Sequence, residues 1–152
     1  MSTSTGYVYF VIVTPNDNPI FEMSYSLVSS GDKILTPDHN DQFRAFASLD
    51  QINEKLRFSE TPYLKNVDKF NEWFVNAFIS PAREYKTYPI DFEGLKFILL
   101  HSGLADDKIK SFFYDSYETY IKYSINPFYK HGGEINSPSF SKRILDIAQK
   151  YL

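Results

Sequence analysis

The stretch Val67–Ser80 (VDKFNEWFVNAFIS) constrains this chain more than any other. It holds the only tryptophan, Trp73, and its two apolar runs are joined by Asn71-Glu72. From Trp73 onward, alternate residues form two sets. Trp73, Val75, Ala77 and Ile79 are all apolar, whereas only half of Phe74, Asn76, Phe78 and Ser80 are. That period of two marks a strand with one side in the core and the other largely covered. Two strands this close in sequence form a hairpin, and a lone hairpin is marginal in water. The rest of the chain must supply partners, and the expectation is that this hairpin lies in the middle of one sheet.

Candidate partners lie on both sides of it. Tyr7–Val13 is aromatic and β-branched and stops at Thr14-Pro15. After the turn formers 15–19, Ile20–Leu27 sets Phe21, Met23, Tyr25 and Leu27 against Glu22, Ser24 and Ser26, the alternation of a half-buried strand. Ser29–Asp38 reads as a loop. A helix is expected from Asn40-Asp41 to about Phe58, some ~28 Å long at ~1.5 Å per residue. Strands then follow at Tyr63–Phe70, Trp73–Ser80 and Leu95–His101. Pro81–Gly94, between the last two, is longer than the about 2–5 residues usual for a hairpin loop and reads as an insertion.

Two helices close the chain. Asp106-Asp107 stand where a helix N-terminus favours acids, and Ile109, Phe112, Phe113, Ser116, Tyr117 and Tyr120 make a core stripe. Asn126-Pro127 ends that helix. Ser137-Pro138 is a cap followed by a first-turn proline, with Phe140, Ile144, Ile147 and Tyr151 at helical spacing behind it. No repeat or second core is evident, so residues 1–152 are expected to form a single domain of order β-β-α-β-β-β-α-α. The class is α+β, with helices on both faces of an antiparallel sheet.

Composition narrows the functions open to such a domain. A chain of 152 residues with 14 Phe and 12 Tyr can bury about 70% of its unfolded surface without staples. A net charge of −3 and no clustered basic face argue against nucleic acid. The absence of Cys excludes disulfides, zinc-thiolate sites and thiol nucleophiles. The N-terminus has no basic signal region, no lipidation box is present, and Tyr7–Val13 is far short of the ~20 residues of a spanning helix. A cytoplasmic protein touching membranes only peripherally is the expectation.

Nothing in the chain converges on catalysis. His39, His101 and His131 fall at separate element ends with no carboxylate at ligand spacing, so no metal or cofactor is expected. A His101–Ser102 dyad is conceivable, but a strand-end histidine in a turn explains the same residues. The G-x-S-x-G, P-loop and G-x-G-x-x-G patterns are absent. Asp106-Asp107 are accounted for by the helix start, and Asp68 and Glu72 by the hairpin. The Phe/Tyr content reads as core with a surplus for interfaces.

Several stretches taken together resemble the sedlin family. They are Tyr9–Val13, Asp17–Met23, Tyr63–Lys65, Val67–Phe74, Phe112-Phe113 with Tyr117-Glu118, and Asn126–Tyr129. The likeness is collinear over nearly the whole chain, and DKFNEWF is its most specific word. It implies a longin-like (SNARE-like, profilin-like) fold with a five-stranded antiparallel sheet, one helix on one face and two on the other. It further implies a non-enzymatic adaptor of the TRAPP vesicle-tethering complex in endoplasmic reticulum-to-Golgi transport, linking core and peripheral subunits of a Rab nucleotide-exchange assembly. The partners implied are a neighbouring small subunit and larger peripheral subunits. The location implied is peripheral at endoplasmic reticulum and Golgi membranes and perinuclear. The alternative is a stand-alone longin-like module binding a SNARE or small GTPase. A SNARE would carry a heptad segment after the domain, and none precedes Leu152. The Pro81–Gly94 insertion and the variable 28–37 loop depart from the family pattern.

The first helix is where a partner is expected. Ala45, Leu49, Ile52 and Leu56 form its core stripe, which leaves Phe43, Phe46, Ala47 and Asp50, then Glu54, on the other side. Asp50 sits in Ser48-Leu49-Asp50, which resembles the family's Ala-Leu-Asp. An outward apolar patch with two Phe residues marks an interface. The competing reading has Asp50 merely solvated and Phe46 folded back on the core. A second surface, Phe128, Tyr129 and Phe140, is expected to be core.

Overall fold

The computed structural model describes residues 7–14, 17–26, 34–35, 39–56, 63–70, 73–80, 95–129 and 133–152. Strands β1 (Tyr7–Val13), β2 (Pro19–Ser26), β3 (Ile34–Leu35), β4 (Tyr63–Phe70), β5 (Trp73–Ile79) and β6 (Lys96–His101) form one antiparallel sheet in the order β3-β2-β1-β6-β5-β4. Five of these are the strands expected from sequence. The sixth, β3, is a two-residue pairing of Ile34 and Leu35 with Tyr25 and Ser24, inside the stretch read as loop. The Pro81–Gly94 insertion lies outside the described residues.

The β4–β5 hairpin is not the middle of the sheet. β1 and β6 are, pairing from Tyr9↔Leu100 to Val13↔Lys96, while β4 is an edge. Burial on both faces explains this order. Val8–Val13 and every residue of β6 are buried, as central strands with both faces covered require. β4 instead exposes Lys65, Asn66 and Lys69, the charges and irregularity that protect an edge. Between Leu64↔Ala77 and Asp68↔Val75 the β4 backbone takes two extra residues, with Asn66 in the left-handed region at φ 47°. The Asn76 Oδ1 accepts from the Asn66 N–H at 3.2 Å and keeps the bulge paired.

The strict alternation of β1, β5 and β6 sends two sets of side chains to two separate cores. Phe10, Ile12, Phe78, Phe97 and Leu99 face helices α3 (Asp106–Ser124) and α4 (Pro138–Tyr151). Tyr9, Val11, Trp73, Val75, Ala77 and Ile98 face α1 (His39–Ala47) and α2 (Leu49–Leu56). α3 and α4 start as their sequences imply. Asp106 and Asp107 occupy the first turn of α3, and the Ser137 Oγ caps α4 by accepting from the Phe140 N–H at 3.3 Å.

The single helix expected over 40–58 is two helices broken at Ser48, and residues 57–58 lie outside the described part. The Ser48 Oγ donates to the Arg44 carbonyl at 2.8 Å, and the Ser48 N–H is shared between the Arg44 and Ala45 carbonyls. Such back-bonding competes with the helical ladder at the break. Ala45, Leu49 and Ile52 stay buried on both sides of the break.

One ion pair ties the β1–β2 turn to the sheet centre. Lys96 is buried in β6, and its Nζ meets the Asp17 Oδ1 at 2.8 Å. Asp17→Asn leaves that ammonium without a carboxylate. Because Asp17 is itself half-exposed, the expected cost is about 1–2 kcal/mol rather than the larger penalty of a fully buried pair. The check is a lower urea midpoint with an unchanged m-value.

Candidate functional site

The outer side of α1 and α2 carries the residues singled out from sequence. Phe43 is 71% exposed, and Ala47, Asp50 and Glu54 are exposed on the same side. Phe46 is half-buried and packs against the core beneath the helix, as the competing reading held for that residue. The outer side therefore presents one largely exposed phenylalanine among carboxylates. Asp50 and Glu54 enter no ion pair among the described residues, whereas Arg44 is engaged at 3.2 Å by Asp41. The surface is thus both apolar and net acidic.

The second surface divides. Phe140 is core, and Tyr129 packs on Tyr120 and Tyr123 while its hydroxyl donates to the Gly133 carbonyl at 2.8 Å. Phe128 overturns the expectation of core, because it is 94% exposed. Helix α3 ends at Ser124, so Ile125 and Phe128 fall past the buried stripe, and Ile125 is 75% exposed as well. The Asn126 side chain shapes the turn by accepting from the Phe128 N–H at 3.0 Å.

The buried polar groups form a structural relay across β4, β5, β6 and the first turn of α3. The His101 Nδ1 accepts from the Gly103 and Leu104 N–H groups, each at 3.1 Å, so the proton sits on Nε2 and is donated to the Asn76 Oδ1 at 2.9 Å. The Asn76 amide donates to the Tyr63 hydroxyl at 2.6 Å, and Tyr63 donates to Asp106. Burial pushes His101 down to about 4, against an opposing pull from Asp106. Burial likewise pushes Tyr63 upward, reinforced by its bond to Asp106, and raises Tyr9 and Tyr120. The His101 Nδ1 holds the β6–α3 turn, the role expected of a strand-end histidine, while Nε2 ties that turn to Asn76 of β5. The side chains of His39 and His131 lie outside the described residues.

Sequence reasoning gave no role to Glu22 beyond the polar side of β2. The Glu22 carboxylate accepts from the buried Tyr9 hydroxyl at 2.7 Å and from the Gln42 amide at 2.8 Å. A tyrosine in a central strand opposite the polar side of its neighbour was the available signal.

Comparison with known proteins bears on the whole of this architecture. A family model described as Sedlin matches residues 12–150. The chain is 40% identical over 144 residues to probable trafficking protein particle complex subunit 2 of Drosophila melanogaster, covering 95% of this chain and 96% of the relative. It is 38% identical over 150 residues to the protein of the same name from Caenorhabditis elegans, covering 98% and 99%. The transport protein particle 20 kDa subunit of Schizosaccharomyces pombe is 30% identical over 144 residues, covering 95% and 98%. With the sheet order, the two helical layers and nearly every residue of the chain accounted for, the chain belongs to the sedlin family.

Proposed function

We propose that this chain is a non-catalytic adaptor of a trafficking protein particle complex. In this reading it links the core of a Rab nucleotide-exchange assembly to peripheral subunits during endoplasmic reticulum-to-Golgi transport. The relatives named as complex subunits support a place in such an assembly. The observation that carries the adaptor reading is the outer side of α1 and α2, where Phe43 stands exposed beside Ala47, Asp50 and Glu54. A large apolar side chain held on a rigid helix and ringed by charges is suited to protein recognition. Among the described residues no helix is long and apolar enough to cross a membrane, and the membrane contact proposed is peripheral, through the complex.

Asp50→Tyr tests the surface. Asp50 is exposed and makes no ion pair among the described residues, so the substitution leaves stability within about 0.5 kcal/mol. Placed beside Phe43, the new ring blocks the surface and removes its charge. The expected result is that co-purification with the peripheral subunits falls by about tenfold or more. A variant that melts at markedly lower temperature yet keeps its partners would refute the reading.

A further inference from the structure

A groove of about 560 Å³ opens beside Phe46, between the start of β2, helix α1 and the segment that leads into α4. Ile20, Phe46, Ile135 and Pro138 give it apolar walls, and among the described residues Glu22 and Glu134 are the charged side chains lining it. Glu22 is held rigidly. Its donors, the Tyr9 hydroxyl and the Gln42 amide, are both neutral, and no lysine or arginine among the described residues pairs with it. The Tyr9 hydroxyl is buried, so the carboxylate cannot turn away without stranding a buried donor. The groove therefore carries a fixed negative charge that no lysine or arginine among the described residues pairs with, beside apolar walls.

The backbone adds a second element. β3 pairs with β2 only at Ser24 and Tyr25, and at the other end the Ile135 N–H donates to the Ile20 carbonyl at 2.8 Å. Between these two points no strand among the described residues lies on the outer side of β2. A strand edge that no described strand pairs, beside a groove, is the setting in which an extended segment adds to a sheet.

We infer that this groove receives an extended segment of another subunit of the complex, with a lysine or arginine set against Glu22 and apolar side chains against Phe46 and Ile20. The sign of the charge selects this occupant. Glu22 and Glu134 in the groove, and Asp50 and Glu54 on the adjoining helical face, repel acidic segments and anionic headgroups and attract a cation. Gln42 and Phe46 join the two regions, since they line the groove and lie on α1 beside exposed Phe43. The inference rests on the adaptor reading and gives it a partner chemistry.

The test uses the full chain and labelled synthetic peptides tiled across the other subunits, titrated by fluorescence anisotropy at low and at physiological ionic strength. Peptides that bind are expected to carry a Lys or Arg flanked by apolar residues and to bind more weakly as salt rises. Glu22→Gln, which keeps the size and an acceptor for Tyr9, should weaken them about tenfold, and norleucine at the peptide's cation should do the same. Combining the two changes should cost little more than either alone, because they remove one shared contact. Peptide binding unaffected by Glu22→Gln, or by norleucine on the unaltered protein, overturns the inference. So does self-association that Glu22→Gln abolishes, since it would assign the groove to a second copy. The two readings fail separately. An inert Glu22→Gln alongside a damaging Asp50→Tyr sinks only the groove, whereas an inert Asp50→Tyr alongside Glu22-dependent peptides sinks only the helical face.

Discussion

Lowering the pH from 6.5 to 4 should remove about 3 kcal/mol of folding stability, and His101 should be the main source of the loss. The unfolded histidine titrates near 6.5, whereas in the fold burial lowers it to about 4. Between those values the unfolded chain takes up a proton that the folded chain refuses, so stability rises with pH across the window and falls on acidification. Protonation is resisted because Nδ1 already accepts from the Gly103 and Leu104 N–H groups and Nε2 already donates to Asn76. A proton on Nδ1 would turn its two bonds into donor–donor contacts. Urea unfolding across this pH range measures the slope. In His101→Gln the slope should flatten, while stability at neutral pH drops by about 1–3 kcal/mol because the two turn N–H groups lose their acceptor. An acid slope that survives in that variant would assign the effect to other groups.

The strands are legible in the sequence, and their order is only partly so, for a physical reason. Alternation in Trp73–Ser80 identified a strand with two unequal faces, and the structure sends Trp73, Val75, Ala77 and Ile79 to one core and Phe78 to the other. Alternation does not say where in the sheet a strand lies. The better signal was the loss of alternation. Val8–Val13 and Phe97–Leu100 are apolar at both parities, as only strands covered on both faces can be, and these are the central pair. Lys65, Asp68 and Lys69 in β4 were the matching sign of an edge. The break at Ser48 is not legible because helical periodicity is indifferent to an interruption that leaves the buried face in register.

The surface residues divide in the same manner. The stripe Ala45, Leu49 and Ile52 was readable because a core stripe repeats, and the exposure of Phe43 follows from its angle to that stripe. Phe46 lies at the margin, where a long side chain can reach the core from the helix flank, and periodicity cannot decide it. Phe128 departs from the expectation of core because residue type alone does not fix burial. Its position after Pro127, past the last turn of α3, leaves it no helical face to follow. The Glu22 groove is assembled from β2, α1 and the approach to α4, and no local pattern reports a meeting of three distant segments.

Two phenylalanines in this chain should behave oppositely when truncated, and the contrast separates platform from surface. Phe10 is fully buried in the central strand and makes an edge-to-face contact with Phe112 at 4.9 Å, with Phe21 and Phe97 each at 6.2 Å. Phe10→Ala removes a ring from a site that backbone pairing on both sides keeps from collapsing, since β1 is held by β2 and β6. The expected cost is about 3–5 kcal/mol, lowering the melting temperature by roughly 10 °C. Phe43→Ala, at 71% exposure, should change stability by no more than about 0.5 kcal/mol. Thermal melts of the two variants give the stabilities directly, and co-purification with the complex's other subunits gives the second axis. Phe10→Ala should lose partners only in proportion to the protein that unfolds, whereas Phe43→Ala should lose them from a fully folded population. If Phe10→Ala melts within about 2 °C of the parent, the packing between β1 and α3 does not carry the stability assigned to it.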